Sequence, residues 1–182
     1  TKKSVYGYFG VYGGFKVKSF YKSISTLTKA NIGPNNGNKI SLSDKIFINI
    51  ERKLNNTFHI NFKNDYDDTI RVLKGPQYDY FSEESKKDFF SKEYLVTNLS
   101  DRMGMRLEGK VIKNTVSANI RSEGITKGAI QVPADGQPII LLTDHPTIGG
   151  YPKIVNVISA DYNKLIQKTP GTKLKFKCIN LE

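Results

Sequence analysis

The feature that most constrains the fold of this chain is a series of short segments in which apolar and polar residues alternate. In the segment DKIFINIE, Ile46, Ile48 and Ile50 fall on one face of an extended strand, and Phe47 falls on the other. Many short strands of this kind favour a closed or partly closed β-barrel. We expect the barrel sheet in residues 4–15, 44–51, 57–62, 111–116, 128–142, 153–158 and 172–179, and further short strands in TIRVLKG (69–75), EYLVTNL and MRLEGKVI.

Helix is expected in only two places. Residues 83–90 follow Ser82, which can cap a helix, and two glutamates suit the positive N-terminal end. A second short helix is expected at about 160–167, ahead of Pro170. No internal repeat or long linker is visible, so the prediction is one mainly β domain over residues 1–182, a barrel with two short helices.

Composition excludes several classes of protein. The chain has 182 residues, of which 38% are hydrophobic and 25% charged, as in globular proteins. No apolar run is long enough for a membrane span, so no membrane partner is expected. Cys178 is the one cysteine, so no intramolecular disulfide can form, which favours a reducing, cytoplasmic location.

The net charge of +11 raises the question of nucleic-acid binding. Only five of the 28 basic residues are arginines, and the lysines are spread along the chain. Recognition of bases and phosphates depends on arginine and on clustering. We therefore expect no nucleic-acid partner.

The sequence motifs of a phosphate-binding loop and of a metal site are both absent. The segment GPNNGNK at 33–39 contains glycine and lysine without the spacing of a phosphate-binding loop. His59 and His145 have no cysteine or glutamate at ligand spacing, so no metal site is expected.

The segment SDRMGMRLEG places a hydroxyl, a carboxylate and two guanidiniums close together: Ser100, Asp101, Arg102 and Arg106. On an extended segment the two arginines can share a face. A guanidinium suits a carboxylate or phosphoryl oxygen, and Asp101 could hold one of the two in place. These four residues are candidate substrate-binding residues; the alternative is a structural Asp–Arg pair at one end of the barrel.

The Gly- and Pro-rich stretch from 128 to 153 supplies further candidates. The amide of Gln131 can both donate and accept hydrogen bonds, and Gly149 and Gly150 would let backbone N–H groups approach a bound oxygen. The alternative is a β-hairpin with a tight Gly-Gly bend, and for the turn at Asp135-Gly136 the hairpin is favoured.

Three titratable side chains lie in the same stretch. Asp144 and His145 form a titratable pair at the end of the apolar strand PIILLT, and Tyr151 offers a hydroxyl. These three residues are the candidate catalytic groups.

Long motifs in this chain resemble the biotin-dependent carboxyltransferase family, also called allophanate hydrolase subunit 2. They are SDRMGMRLEG, GAIQVPADGQPIILLTDHPTIGGYPKI and ISADYNKLIQKTPGTKLKF, and GYFGVYGGF at 7–15 is similar to the family's YLAVAGGF strand. The resemblance runs from about Tyr6 to Phe176 and implies a cyclophilin-like β-barrel. The family's usual TTGGYP is TIGGYP here, which removes a hydroxyl at Ile148.

The resemblance implies a component of an ATP-dependent 5-oxoprolinase, similar to its C subunit, in a complex that opens the lactam of 5-oxoproline to give glutamate. It also implies a subunit 1-type (B-subunit-like) partner and a third subunit, with ATP used by the complex. In that reaction Arg102, Arg106 and the Gly149-Gly150 backbone would neutralise anionic oxygens, and Asp144 or His145 would move protons.

Members of the family also carry a further N-terminal portion, so a separate N-terminal half is another expected partner. Two alternative functions stay open. One is the carboxyltransferase component of a biotin-dependent urea carboxylase or allophanate hydrolase system, with biotin carried by a partner. The other is a non-catalytic regulatory module that binds a kinase-inhibitor-type partner.

Overall fold

The computed structural model of this chain describes residues 4–49 and 68–180. The chain divides into two compact units, one formed by residues 1–7 and 64–182 and the other by residues 8–63. The first unit contains every α-helix and named β-strand of the described residues. That the two units act as the single domain expected from the sequence stays a prediction.

The described residues form nine strands and two α-helices. The strands are β1 (Thr69–Lys74), β2 (Tyr94–Val96), β3 (Gly104–Glu108), β4 (Glu123–Gly124), β5 (Ala129–Gln131), β6 (Ile139–Leu141), β7 (Ile148–Gly149), β8 (Lys153–Val157) and β9 (Lys173–Cys178). The helices are α1 (Glu83–Ser91) and α2 (Ser159–Ile166), and short 3-10 turns lie at Thr28–Ala30, Asn35–Gly37 and Tyr78–Tyr80.

Seven of these strands close into a barrel, in the order β1-β8-β5-β6-β3-β2-β9, and β9 pairs back onto β1. The β1–β9 pair is parallel, and the other barrel pairs are antiparallel. Strands β4 and β7 form a separate two-stranded sheet. The prediction of a mainly β barrel with two short helices is confirmed.

The barrel core follows from alternation along the strands. In β1 the side chains of Ile70 and Val72 are fully buried, whereas Arg71 between them is exposed. Helix α1 adds Phe89, whose ring stacks on Phe176 of β9 with centroids 4.7 Å apart and planes inclined by 10°. Phe89 also lies 5.6 Å from the ring of Tyr94 in β2, so one helical side chain joins two neighbouring strands.

Both predicted helices are present. Helix α1 begins after Ser82, whose Oγ accepts a hydrogen bond from the backbone N–H of Ser85 at 3.1 Å. Helix α2 ends at Ile166, and Gly171 just beyond it has a φ of 88°, a conformation that favours glycine.

Three of the predicted barrel segments are wrong. The described parts of 4–15 and 44–51 contain no barrel strand and are joined by one isolated bridge, between Phe15 and Ile48. Residues 111–116 form only an isolated bridge, through Asn114. Alternation shows that one face of a segment can be buried, but it does not show that its backbone finds a neighbouring strand. The predicted strand at 57–62 lies outside the described residues.

The predictions for 128–142, 153–158 and 172–179 are confirmed, as are the short strands at 69–75 and in the EYLVTNL and MRLEGKVI segments. The stretch 128–142 is a hairpin of β5 and β6. Its loop needs glycine at Gly136, where φ is 71° and a Cβ would lie 2.6 Å from Val111 Cγ1. The hairpin that the sequence favoured for this turn is therefore present.

The described part of the second unit, residues 8–49, contains little regular structure. Gly37 is its one buried residue, and many of its large apolar side chains are exposed. An apolar pocket of about 660 Å³ lies among them, lined by residues such as Phe15, Ile46 and Phe47.

Among the residues that the structure describes, no helix is both long and apolar enough to cross a membrane.

A two-pronged ion pair ties α2 to β1. Arg71 Nη2 lies 2.6 Å from Asp161 Oδ1, and Arg71 Nε and the Arg71 backbone N–H both donate to Asp161 Oδ2, at 3.1 and 2.8 Å. Asp161 is only 3% exposed. These hydrogen bonds from Arg71 hold the pKa of the Asp161 carboxyl below its ordinary value.

Replacing Phe89 with alanine should lower the free energy of unfolding by about 3–5 kcal/mol, because it leaves a cavity against Phe176 and Tyr94. Urea denaturation measures this loss. The exposed Lys87 on the same helix gives the control, since Lys87→Ala should change stability by no more than about 0.5 kcal/mol. Equal losses for the two variants would show that α1 does not hold the barrel core.

The Arg71–Asp161 pair should make part of the stability depend on acid pH. Because the folded state lowers the pKa of Asp161, the pair stabilises the protein above about pH 3.9, the ordinary pKa of aspartate. That contribution is lost as the pH falls from there through the lower pKa of the folded state. Asp161→Asn should therefore be less stable than the wild type at pH 7 and nearly equal to it in strong acid. A stability difference that stays constant from pH 7 into strong acid would contradict this.

Candidate functional site

Arg102 and Asp144 form an ion pair where β6 ends and β3 begins. The two strands are antiparallel, so the residues after β6 lie beside those before β3, and the backbone N–H of Asp144 donates to the Arg102 carbonyl at 2.9 Å. Arg102 Nε lies 2.7 Å from Asp144 Oδ2, and Nη2 lies 3.0 Å from Oδ1. The arginine side chain is 58% exposed and that of the aspartate 23%. The hydrogen bond with Asp144 raises the pKa of Arg102 above its ordinary value.

The sequence suggested Asp101 as the residue that holds an arginine, but the structure pairs Arg102 with Asp144. Asp101 shapes the turn before β3, where its Oδ1 accepts backbone N–H groups of Met103 at 2.8 Å and Gly104 at 3.0 Å. Ser100 also contacts the backbone of β3, where its Oγ accepts the N–H of Arg106 at 3.0 Å. Substrate contacts by Asp101 and Ser100 stay predictions.

Arg106 lies apart from the Arg102–Asp144 pair along the barrel wall. It is an exposed residue in the middle of β3, opposite Ile139, whereas Asp144 lies beyond the far end of β6. Arg106 borders a shallow pocket of about 310 Å³, together with residues such as Asp135 and Gln137. A joint site with Arg102 therefore stays a prediction.

Gln131 lies at the centre of a second group of predicted residues. Its side chain is buried, and its Nε2 donates to the Tyr151 carbonyl at 3.5 Å. A Cβ at Gly149 would lie 2.7 Å from Gln131 Nε2, so glycine at this position is what lets the amide approach. The structure thus brings Gln131, Gly149 and Tyr151 together.

Gly150 continues the same bend. Its carbonyl accepts the backbone N–H of Ile120 at 2.8 Å, and a Cβ on Gly150 would lie 3.1 Å from the Ile120 carbonyl oxygen. In this structure, groups of the chain itself occupy the space beside both glycines: Gln131 Nε2 beside Gly149, and the Ile120 carbonyl oxygen beside Gly150. The approach of a bound anion to Gly149 and Gly150 stays a prediction.

The ring of His145 is oriented by a short hydrogen bond. Its Nδ1 lies 2.6 Å from the Pro146 carbonyl oxygen, and a carbonyl can only accept a hydrogen bond, so Nδ1–H is the donor. This contact leaves Nε2 as the ring nitrogen that is available to a bound molecule. His145 is partly exposed, so Nε2 can serve a bound molecule.

The structure also shows a group of polar residues that the sequence did not indicate. Lys153, the first residue of β8, is 3% exposed, and its ammonium forms an ion pair with Glu123 of β4. Gln77 Nε2 donates to the same carboxylate at 2.8 Å, and Gln77 Oε1 accepts the backbone N–H of Lys153 at 3.2 Å. Hydrogen bonds from Lys153 and then Gln77 lower the pKa of Glu123, which keeps it ionised.

This group lies beside the Gln131 group. Lys153 is opposite Gln131 in the β5–β8 pair, and Glu123 is opposite Gly149 in the β4–β7 pair. Gln77, Glu123 and Lys153 are far apart in the sequence, so no local motif could have indicated this group. The one available signal was a lysine at the start of the apolar segment KIVNVIS.

Within residues 4–49 and 68–180, no three histidine, cysteine, aspartate or glutamate side chains lie close enough together to hold a metal ion.

Similar proteins give a consistent picture. The C subunit of 5-oxoprolinase from Haemophilus influenzae is 35% identical over 182 residues, which is the full chain and 59% of that protein. The Escherichia coli protein of the same name is 34% identical over 175 residues, covering 96% of this chain and 56% of that one. The chain thus spans somewhat more than half of the length of these relatives. The urea amidolyase of Saccharomyces cerevisiae is 30% identical over 196 residues, covering 96% of this chain and 11% of that protein.

Solved structures show the same fold. The Kluyveromyces lactis urea amidolyase superposes with a TM-score of 0.79 at 28% identity, covering 94% of this chain and 12% of that one. The urea carboxylase of the same yeast gives a TM-score of 0.79 at 27% identity, covering 94% and 17%. The sequence model of the carboxyltransferase domain, subdomain A and B, matches residues 1–178. The chain therefore belongs to the carboxyltransferase domain family with subdomains A and B, as its motifs indicated.

Proposed function

We propose that this chain is a component, of the C-subunit type, of an ATP-dependent 5-oxoprolinase complex that hydrolyses 5-oxoproline to glutamate. The observation that carries the proposal is the 35% identity to the C subunit of a 5-oxoprolinase, which extends over the full chain. Identity to the urea amidolyase is lower, at 30%. ATP enters the proposal as a co-substrate of the complex.

The chemistry of the substrate suits the Arg102–Asp144 pair. 5-Oxoproline carries a carboxylate, and opening its lactam develops negative charge on the ring carbonyl oxygen. A guanidinium has more N–H donors than one carboxylate can use, so Arg102 can hold Asp144 and still offer donors to an anion. Its 58% exposure leaves those donors accessible.

Proton transfer in this proposal falls to His145 and Asp144. Opening the lactam requires a proton on the leaving nitrogen and removal of one from the attacking water. His145 presents Nε2 for the second task, since its Nδ1 is engaged by the Pro146 carbonyl. The Tyr151 hydroxyl, on a side chain that is 40% exposed, can orient the substrate beside Gly149 and Gly150.

The proposal includes a subunit 1-type (B-subunit-like) partner. Its support from the structure is the apolar surface of residues 8–49, on which Phe9 is 81% and Phe47 68% exposed. Large exposed apolar patches are typical of protein–protein interfaces.

A second candidate function is carboxyl transfer within a biotin-dependent urea carboxylase system, with biotin carried by a partner. The observation that favours it is the structural similarity to a urea carboxylase, at a TM-score of 0.79. Arg102 and the Gly149-Gly150 backbone would then bind the carboxyl group that is being transferred.

Co-expression with the other proteins of a 5-oxoprolinase distinguishes these functions. We expect co-purification with a subunit 1-type protein and ATP hydrolysis that depends on both 5-oxoproline and this chain. Urea-dependent carboxylation with a biotin-carrier protein would instead support the second candidate. Binding of the partner without turnover of either substrate would contradict both and identify a regulatory module.

The isolated chain should self-associate as its concentration rises, because the apolar side chains of residues 8–49 are exposed to water. Sedimentation velocity measures this, and addition of the subunit 1-type partner should convert the mixture to one defined species. A monomer that stays stable over a wide concentration range would contradict the prediction.

Replacing Arg102 with lysine should lower kcat/KM of the reconstituted complex about tenfold, or about 1.4 kcal/mol of transition-state stabilisation. The charge is kept, but lysine cannot hold Asp144 and an anion with two-pronged geometry. Thermal stability should change little, because the side chain is largely exposed.

Arg71 provides the matched control, since it forms the same two-pronged pair with a buried aspartate. Arg71→Lys should lower the melting temperature and leave the kinetics of the folded protein intact. If Arg102→Lys instead lost stability while its kinetics stayed normal, Arg102 would be a structural residue like Arg71.

A further inference from the structure

The cluster of Gln77, Glu123 and Lys153 has a role that the proposed chemistry does not use. We propose that Lys153 is a positioning residue, which holds β4 through its ion pair with Glu123 and so fixes Gly149 and Gly150 of the adjoining bend beside Gln131. The inference deepens the proposed function, since it rests on the assignment of these glycines to substrate binding.

The β4–β7 sheet needs such an anchor because it is very small. Each strand has two residues, and a pair of this size is not stable by itself in water. Hydrogen bonds join its two sides to each other, from the Ile120 N–H to the Gly150 carbonyl and from the Ile125 N–H to the Thr147 carbonyl. These bonds hold the sheet together but do not attach it to the barrel.

Strand β7 is joined to the barrel by the short connection to β8, where the Val132 N–H donates to the Pro152 carbonyl at 3.0 Å, whereas β4 is attached chiefly by side chains. Ile125 packs with two buried residues of the β5–β6 hairpin, Ala129 and Leu141. Glu123 contacts Lys153 of β8 and Gln77 near the end of β1. The Glu123 contact fixes position more strictly than the Ile125 contact does. An apolar side chain can shift along its neighbours and stay buried, whereas an ion pair is lost when its two charged groups separate.

The burial of Lys153 makes this contact a strict constraint. The ammonium is buried, and among the described residues its ion pair is with Glu123. If β4 moved away, the charge would stay buried without a partner, which is strongly unfavourable. Replacing a buried ion pair by an apolar group of similar size is often neutral for overall stability. The pair therefore contributes more to the position of β4 than to the stability of the barrel.

The lysine at the start of β9 offers a matched control. Lys173 is also the first residue of a barrel strand and also pairs with a glutamate, Glu93, at 3.5 Å. Its side chain is 68% exposed, so its removal leaves no buried charge and does not release a small sheet from the barrel. Lys173→Met thus makes the same chemical change without the proposed consequence.

Hydrogen exchange on the whole chain tests the proposal directly. In Lys153→Met, the amides of Ile120 and Ile125 should exchange about tenfold faster or more, because the β4–β7 sheet opens locally. The barrel amides of Leu107 and Leu142, which donate to the Pro138 and Met103 carbonyls, should keep their rates. Glu123→Gln, a change at a side chain that is 42% exposed, should have the same local effect, because it leaves the buried Lys153 ammonium without its counter-charge.

Three outcomes would overturn the proposal. One is unchanged exchange at Ile120 and Ile125 in both variants. Another is faster exchange throughout the barrel in Lys153→Met with no local effect in Glu123→Gln, which would make Lys153 a structural residue. The third is an equal local effect in Lys173→Met.

Kinetics of the reconstituted complex then connect the position of the bend to substrate binding. Lys153→Met should raise KM for 5-oxoproline about tenfold with a smaller change in kcat, since a loss of fixed binding groups weakens binding. A merely unstable variant would lose active protein and keep its KM, which would count against the proposal. If the wild-type complex did not turn over 5-oxoproline, the proposed function would fail, while the exchange experiment would still decide whether Lys153 fixes the bend.

Discussion

Closure of the barrel by the parallel pairing of β1 with β9 is the constraint on which the rest of the structure depends. These strands lie at opposite ends of the described segment 68–180, and their register joins Thr69 to Lys175 and Val72 to Cys178. Without this pair the sheet would have two open edges, which are prone to aggregation. Phe89 reinforces the closure from α1, because its ring stacks on Phe176 of β9 beside the closing pair.

Closure also determines which residues meet at the ends of the strands. The antiparallel β3–β6 pair brings Arg102 to Asp144, and the β5–β8 pair brings Gln131 to Lys153. Both candidate groups thus lie where strands start or end, so they are held by a rigid sheet although their own segments are turns. The small β4–β7 sheet is the exception, and the ion pair of Glu123 with the buried Lys153 supplies the rigidity that its length does not.

The sequence predicted the fold better than the contacts within the site. Alternation in TIRVLKG and KLKFKCI indicated β1 and β9, and Ser82 indicated the start of α1. The strand predicted for 111–116 does not form, because a sequence pattern does not show whether a neighbouring strand is available to pair with the segment. The motifs made Arg102, Gln131 and Asp144 candidates. They could not show that Arg102 pairs with Asp144, 42 residues away, or that Lys153 meets Glu123, because both contacts follow from strand order.

The central claim is that Arg102 and the Gly149-Gly150 bend bind the same substrate molecule. The most direct measurement is a nuclear magnetic resonance titration of the ¹⁵N-labelled chain, assembled with its partner proteins, with 5-oxoproline. The account predicts that the Arg102 Nε–H resonance and the Gly149 and Gly150 amide resonances shift together and saturate with one Kd. Shifts confined to one of the two groups, or separate Kd values for the two, would contradict it.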